Sequence, residues 1–159
     1  MTDLEPNNDH DRLTLRKSAK LRHRTLVQDL FKKGKSVYSG PLRVTFRVLS
    51  NEELEKSFRV CIPDKMGPVQ FMITVPKKKR RHAVDRVLMR RRIREAFRHQ
   101  WKSLRLTVQE DPSIRTLSLA IVYMDTENSD MQIISYAMAS ALSKISKKLY
   151  PQPKPCEDC

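Results

Sequence analysis

The sequence predicts a single α+β domain in which helices pack on a mixed β-sheet. Two observations lead to this class. Segments in which apolar residues alternate with polar ones, as in strands, are interspersed with segments in which apolar residues recur every three or four positions, as in helices. The chain has 159 residues, 39% of them hydrophobic and only 3 of them glycine, which suits one domain with one core. We expect a folded domain over residues 16–150, a disordered N-terminal tail at 1–15 and a flexible C-terminal tail at 151–159.

The first half of the domain predicts one helix and then three strands. The helix runs from about Arg24 to Lys33 and ends before Gly34. Its apolar stripe consists of Leu26, Val27, Leu30 and Phe31. The strands are expected at Leu42–Leu49, Phe58–Ile62 and Val69–Val75, with a polar turn at Asn51–Lys56 between the first two. Along the first strand, the polar face carries Arg43, Thr45 and Arg47.

The second half predicts a long helix, a strand and a final helix. The long helix spans about Ala83 to Leu106, and its apolar face consists of Met89, Ile93, Ala96, Phe97 and Leu104. Leu117–Met124 is almost entirely apolar, as in a strand buried on both faces. Ser129 or Asp130 can cap the last helix, which ends near Leu149. The predicted order is therefore α-β-β-β-α-β-α, with a βαβ crossover through the long helix.

The charge of the chain indicates a polyanionic partner. The sequence has 32 Lys and Arg against 18 Asp and Glu, for a formal net charge of +14 and a pI near 10.1. No apolar run approaches the roughly 20 residues that cross a bilayer, and residues 1–11 are polar and acidic rather than signal-like. We therefore expect a cytoplasmic protein that binds nucleic acid and no membrane.

The positive charge is concentrated in residues 77–98, where eleven of twenty-two positions are Lys or Arg. On the long helix most of these residues fall on faces beside the apolar one, so packing of the helix on the sheet would display them in a fixed array. A solvated helix face would normally mix the two signs of charge, and arginine offers forked donors that match phosphate oxygens. The candidate RNA-binding residues are Lys77, Lys78, Lys79, Arg80, Arg81, Arg86, Arg90, Arg91, Arg92, Arg94 and Arg98.

The sequence offers no catalytic centre of its own. It contains no paired carboxylates in a plausible setting, no nucleophile with an adjacent base and no phosphate-binding loop. His82 and His99 lie 17 residues apart, about 25 Å along one helix, which is too far for an acid–base pair. Cys156 and Cys159 form a C-x-x-C pair without two further ligands, so we expect two thiols on a tail and no metal site.

Four stretches of the sequence form a distinctive series of motifs. They are Asp29-Leu30-Phe31-Lys32-Lys33-Gly34-Lys35-Ser36, Thr74-Val75-Pro76-Lys77-Lys78, Ala83-Val84-Asp85-Arg86 and Arg90-Arg91-Arg92-Ile93-Arg94-Glu95-Ala96-Phe97-Arg98. In order and spacing they resemble the protein component of bacterial ribonuclease P, and the likeness covers about Leu21 to Tyr150. One departure is clear: Val87 and Leu88 stand where the family has Asn and a second Arg.

The resemblance implies a division of labour between protein and RNA. In that family the RNA subunit, with bound Mg²⁺, cleaves precursor tRNA, while the protein binds that catalytic RNA and the 5′ leader and needs no organic cofactor. It also implies a left-handed βαβ crossover, against the usual right-handed rule. The leader cleft would contain Val27, Phe31, Arg43, Thr45 and Arg47.

Alternatives remain at two levels. Phe31 could instead belong to the core, and the two arginines of the first strand could lie on a solvated sheet face. At the level of function, a ribosomal or other structural RNA-binding protein of related fold would carry the same charge, and an independent nuclease would have to cleave RNA without a partner.

Overall fold

The computed structural model of this chain describes residues 14–58, 62–63 and 66–151, which form one mixed β-sheet with helices on both faces. A 3₁₀ turn at Lys17–Ala19 comes first. The regular elements are α1 (Arg24–Lys33), β1 (Lys35–Ser39), β2 (Leu42–Leu49), α2 (Asn51–Ser57), β3 (Val69–Thr74), α3 (Ala83–Glu110), β4 (Thr116–Tyr123) and α4 (Met131–Leu149). None of the described helices is both long and apolar enough to cross a bilayer.

The strand order in the sheet is β1-β2-β4-β3. β1 and β2 form an antiparallel hairpin, whose turn includes Gly40 at a φ of 51°. β2 also pairs antiparallel with β4, whereas β3 pairs with β4 in parallel. Because β3 and β4 are parallel, α3 is the crossover between them, as the sequence predicts. The left hand of that crossover stays a prediction.

The larger core lies between the sheet and the pair of helices α3 and α4. Ile93 and Phe97 of α3 are fully buried, and the Phe97 ring lies 4.5 Å from that of Phe71 on β3. Trp101 continues the stack, with its ring centroid 5.7 Å from that of Phe97. The predicted apolar face of the long helix is confirmed, and Trp101 and Val108 extend it. This packing holds α3 rigidly on the sheet.

A smaller core covers part of the opposite face of the sheet. Leu26 and Leu30 of α1 meet Leu54 of α2 and Ala120 of β4 there. Leu119, the neighbour of Ala120, points into the larger core instead. β4 is therefore buried on both faces, as its nearly continuous apolar sequence predicts.

The α+β class and the mixed sheet are confirmed, but the predicted element order needs correction. The segment predicted as a turn at Asn51–Lys56 is helix α2, which begins with a capping box between Ser50 and Glu53. A strand that the sequence did not predict, β1, precedes β2. The predicted strand Phe58–Ile62 falls largely outside the described residues, and Phe58 caps α2. The observed order is α-β-β-α-β-α-β-α.

The other boundaries shift slightly. The last predicted residues of β3 and β4, Val75 and Met124, lie outside those strands, and α3 continues to Glu110. Asp130 is the N-cap residue of α4. The predicted tails at 1–15 and 151–159 fall almost entirely outside the described residues and stay predictions.

Candidate nucleic-acid interface

Six of the candidate cations are exposed to solvent. They lie on α3 and on the loop that leads into it, and they form what we call the open set: Lys77, Lys78, Arg81, Arg90, Arg91 and Arg94. None of these side chains makes a hydrogen bond or ion pair with another described residue. Because the apolar face of α3 is fixed in the larger core, the open set presents unneutralised positive charge from a rigid support.

Four other candidate arginines bind the protein itself, and we call Arg80, Arg86, Arg92 and Arg98 the tethered set. Arg92 donates from Nη1 to the carbonyl oxygen of Ser129 at 2.6 Å, which fastens α3 to the start of α4. Arg98 donates from Nε to Oε2 of Glu95 at 3.0 Å. Lys79, the remaining candidate, is half-buried. Binding of RNA by any of these residues stays a prediction.

Two arginines of the tethered set stabilise the loop before α3. This loop, which we call the basic loop, contains Lys77, Lys78, Lys79, Arg80 and Arg81. Arg80 donates to the carbonyl of Thr126 and to the side chain of Asn128, and its Nη2 lies 3.1 Å from Oδ2 of Asp85. Arg86 reaches back from the first turns of α3 and donates to the carbonyls of Arg80 and Arg81 at 3.0 and 2.6 Å. These bonds fix the loop, so that the exposed lysines and Arg81 are held in place.

Glu95 is the one acidic residue in the described middle of α3. Its carboxylate accepts hydrogen bonds from Arg98 and lies 2.9 Å from Nε2 of His99. The hydrogen bond from Arg98 is the main cause that lowers the pKa of Glu95 from 4.5 to about 2, and His99 adds to it. Glu95 is therefore ionised at neutral pH and neutralises part of the array locally.

The predicted leader cleft is only partly accessible. Phe31 is 48% exposed on α1, so the alternative that it belongs to the core is wrong. Val27, one turn earlier, is half-buried against the smaller core. Arg43 is half-buried; its guanidinium lies 5.7 Å from the centre of the Tyr38 ring, and Nε donates to Ser36 Oγ at 3.4 Å.

Two predicted cleft residues of β2, Thr45 and Arg47, are largely buried, which corrects their placement on an accessible cleft surface. Thr45 is only 2% exposed, and its hydroxyl lies 3.0 Å from that of Ser36. The chain leaves α1 directly over this residue: a Cβ on Gly34 would clash with the backbone oxygen of Leu30 and lie 2.8 Å from Cγ2 of Thr45, so only glycine fits there. Arg47 is 15% exposed and bridges α1 and α2 through Asp29 at 3.7 Å and Glu53 at 3.4 Å.

Two basic residues that sequence reasoning missed lie near the open set. Lys20 and Arg22 are exposed and line a groove with Arg90 and Arg94 at the edge of β3. Their signal in the sequence was alternation with Ala19 and Leu21, both of which are buried. No group of three or more His, Cys, Asp or Glu side chains that could hold a metal ion occurs among the described residues.

A family model for ribonuclease P matches residues 15–146. The chain belongs to the ribonuclease P protein family. The ribonuclease P protein component of Porphyromonas gingivalis strain W83 is 29% identical to it over 132 residues, which cover 83% of this chain and 86% of that protein. The corresponding protein of strain ATCC 33277 gives the same values.

Solved structures of ribonuclease P proteins share the fold. The Staphylococcus aureus protein has a TM-score of 0.51 and 20% identity, and the match covers 81% of this chain and 95% of that one. The Thermotoga maritima protein has a TM-score of 0.54 and 21% identity, with 79% and 96% coverage. Family membership makes this chain the protein part of a tRNA-processing ribonuclease and gives it an RNA partner.

The family motif is incomplete in this chain at the start of α3. Val87 is 43% exposed and Leu88 is half-buried, in place of the Asn and Arg that are usual in ribonuclease P proteins. Neither side chain can donate a hydrogen bond to RNA. Arg86, which directly precedes Val87, donates a hydrogen bond to the backbone of the basic loop. At this point of the helix, the exposed donors nearest in sequence are Arg90 and Arg91.

Proposed function

We propose that this chain is the cytoplasmic protein subunit of ribonuclease P, which binds the catalytic RNA and the 5′ leader of precursor tRNA and so promotes removal of the leader. The observation that carries the proposal is the open set. Six exposed cations, none of them bonded to another described residue, project from one helix and its entry loop, in a family whose members are ribonuclease P proteins.

The open set suits an RNA backbone better than a small anion. Its members extend from Lys77, Lys78 and Arg81 on the loop to Arg90, Arg91 and Arg94, which lie within little more than one turn of α3. Phosphates repeat along an RNA strand, and each one that a Lys or Arg neutralises releases counterions. Such interactions position RNA without reading its sequence. We therefore expect tight, salt-sensitive binding with little base preference on this surface.

The exposed part of the cleft suits a single-stranded leader. Phe31 offers an aromatic surface on which a base can stack, and Arg43 supplies a positive charge on the neighbouring strand β2. Because Thr45 is buried and Arg47 is paired with two carboxylates, we assign these two residues a structural role in the wall of the cleft. Binding of the leader would then depend mainly on α1 and on Arg43.

The chemistry is assigned to the RNA subunit. Hydrolysis of a phosphodiester needs an activated water and stabilisation of the developing charge, which Mg²⁺ on the RNA would supply when bound. The protein contributes by binding and orienting RNA. Its role in raising the rate is then to replace part of the Mg²⁺ that would otherwise screen the two RNAs from each other.

The test is cleavage of a precursor tRNA at low Mg²⁺ concentration. Three reactions are compared, which contain bacterial ribonuclease P RNA, this protein, or both. We expect leader removal only in the mixture, or much faster there. Cleavage by the protein alone would contradict the assignment of chemistry to RNA. Tight RNA binding with no acceleration would instead favour a ribosomal or structural role.

A further inference from the structure

The described part of the chain begins beside the basic side of α3. Thr14, the first described residue, is exposed and lines a narrow cleft together with Trp101 and Arg105. The guanidinium of Arg105 lies 5.4 Å from the centre of the Trp101 ring. What we call the basic groove lies further toward the start of α3 and is lined by Lys20, Arg22, Arg90 and Arg94. Residues 1–13 therefore join the described fold next to a cluster of cations.

Backbone hydrogen bonds fix the place where residues 1–13 join. The N–H of Gly67 donates to the carbonyl of Ser18 at 3.2 Å, and the N–H of Leu21 donates to the carbonyl of Phe71 at 2.8 Å. Ala19, between these two bonds, is buried in the larger core. The segment that precedes α1 is thus held along the outer edge of β3, and the position of Thr14 is set by the fold.

Residues 1–13 have the opposite charge to this surface. They contain four of the 18 acidic residues of the chain against a single basic residue, Arg12, although the whole chain has a net charge of +14. The four are Asp3, Glu5, Asp9 and Asp11. No Asp or Glu is among the described residues that line the basic groove or the cleft at Thr14. An acidic segment that lies outside the described residues is thereby covalently joined to the edge of a basic surface.

The length of the segment matches the distance to the arginines of α3. Because a helix rises 1.5 Å per residue, Arg94 and Arg90 lie about 10 and 16 Å along α3 from Trp101. An extended chain spans about 3.3 Å per residue, so Asp11 and Asp9 can lie up to about 10 and 16 Å from Thr14. The carboxylates can therefore meet both arginines without any change in the fold.

We propose that residues 1–13 bind the basic groove of their own chain and compete there with RNA. Binding to Arg90 and Arg94 would relieve the repulsion between like charges on α3. A segment tethered this closely meets the groove at an effective concentration of about 1 mM, so a weak interaction is enough for partial occupancy. The competition with RNA rests on the proposed function, whereas the contact between segment and groove does not.

The segment would make RNA binding more selective. The apparent affinity for RNA falls in proportion to the fraction of molecules in which the groove is open. An RNA that binds only through neutralisation of its phosphates has little further binding energy with which to displace the segment. An RNA that also contacts other parts of the protein displaces it more readily. The acidic segment would thus act as an internal competitor against non-specific RNA.

The contact itself is tested on the full chain by carbodiimide crosslinking, which joins a carboxylate to a neighbouring lysine amine. The crosslinked monomer is isolated from dilute protein and analysed by peptide mass spectrometry. We expect amide bonds between residues 1–13 and both Lys20 and Lys102, and their loss when RNA is added. Exposed lysines on other surfaces should react much less and serve as the reference: Lys32, Lys33, Lys147 and Lys148. Equal yields at the reference lysines, or crosslinks found only in dimers, would overturn the proposal.

The competition is tested by neutralisation of the segment in Asp3→Asn/Glu5→Gln/Asp9→Asn/Asp11→Asn. If the contact alone has a dissociation constant of about 0.1–1 mM, the affinity for a non-specific RNA should rise about 2- to 10-fold at low salt. The gain should disappear at high salt, where the segment no longer binds. The matched control removes four exposed carboxylates elsewhere, in Glu52→Gln/Glu55→Gln/Glu110→Gln/Glu127→Gln. An equal gain in the control would mean that net charge, and not the segment, sets the affinity.

A double-mutant cycle locates the contact on α3. In the background Arg90→Ala/Arg94→Ala, neutralisation of the segment should change RNA affinity much less than in the wild-type background, because the arginines that it covers are gone. Circular dichroism verifies the fold of each variant. The same gain in both backgrounds would show that the segment does not act through these arginines and would contradict the proposal.

The internal competitor and the proposed function fail in different ways. If the wild-type protein does not accelerate leader cleavage, the proposed function is wrong, but the crosslinks still report whether the segment binds the groove. If the wild-type protein accelerates cleavage and no crosslink to Lys20 or Lys102 forms, only the internal competitor is wrong.

Discussion

The open set and the tethered set consist of the same kinds of residue on the same helix and loop, yet the structure uses them differently. Arg80 of the tethered set has a side chain that is 13% exposed and bonded to a carbonyl, an amide and a carboxylate. Arg81, its neighbour in sequence, belongs to the open set and is exposed. A count of basic residues does not distinguish the two. Arg80 holds two loops together, whereas Arg81 is exposed on the surface.

The difference has an energetic basis. A largely buried guanidinium must replace its water with hydrogen bonds that it donates to the protein, and the two Nη atoms of Arg80 donate such bonds across two loops. The open set keeps its water, and its like charges repel along the helix by a few tenths of a kcal/mol per pair. A polyanion removes that repulsion when it binds. The open set thus lowers the stability of the free protein slightly and favours the complex.

The largest effect is expected when three members of the open set are removed. Arg90→Ala, Arg91→Ala and Arg94→Ala together should flatten the salt slope of RNA binding by about 0.7–0.9 for each phosphate that is no longer neutralised. Between about 50 and 200 mM salt, the affinity of wild type should then fall by a factor about 20 to 40 times larger than that of the variant. Filter binding or fluorescence anisotropy at several salt concentrations measures both slopes.

The control for this variant is Lys144→Ala, Lys147→Ala and Lys148→Ala on α4, which removes the same charge from exposed positions. It should change the slope little, because Lys144 and Lys148 donate to carbonyls of β1 at one edge of the sheet, whereas Arg90 and Arg94 lie beside β3 at the other edge. Equal slopes in the two triple variants would mean that net charge, and not the open set, governs RNA binding. The melting temperature of the arginine variant should stay near that of wild type.

The strands and the buried helix face that support the open set were predicted well from the sequence. Alternation marked β2 and β3, a continuous apolar run marked β4, and helical periodicity placed Ile93 and Phe97 in the core. Two elements, β1 and α2, were not predicted, for different reasons. β1 is mostly polar and owes its conformation to pairing with β2, which no local pattern encodes. Helix α2 could have been found, because Ser50 and Glu53 have the spacing of a capping box.

The division of the cations could not be predicted from the sequence. The partners of Arg80 at Thr126 and Asn128 lie 46 and 48 residues away along the chain. Likewise, the alternation of β2 places Thr45 on the polar face, but the close approach of Gly34 buries it. Local periodicity reports which side of an element a residue occupies. It does not report what the rest of the chain brings to that side.

Two single substitutions at neighbouring positions, one from each set, test the same difference between the open set and the tethered set. Their expected effect is smaller than that of the triple variant. Arg80→Ala should lower the free energy of unfolding by about 1–3 kcal/mol, because it removes charged hydrogen bonds that join two loops. Arg81→Ala should change stability by less than about 0.5 kcal/mol but lower the salt slope by about 0.7–0.9. Urea unfolding and RNA titration are measured on both proteins. The division into two sets is wrong if Arg80→Ala flattens the slope and leaves stability unchanged.

The smallest effect concerns the acidic residue that lies among the arginines. Hydrogen bonding from Arg98, with a contribution from His99, lowers the pKa of Glu95 to about 2. A carboxyl whose pKa is lowered by folding stabilises the protein above its ordinary value of 4.5, and this contribution is lost as the pH falls from there through about 2. The advantage of wild type over Glu95→Gln in melting temperature should therefore shrink across that range.

Exposure of the Glu95–Arg98 pair limits the size of this effect, and added salt should reduce it further. Thermal melts of both proteins at about pH 7, 4.5 and 2 in low and high salt measure the difference. If the difference is the same at the highest and the lowest pH, the carboxylate does not stabilise the fold through its charge. Glu95→Gln also removes the one negative charge from this stretch of α3, so it should strengthen RNA binding slightly.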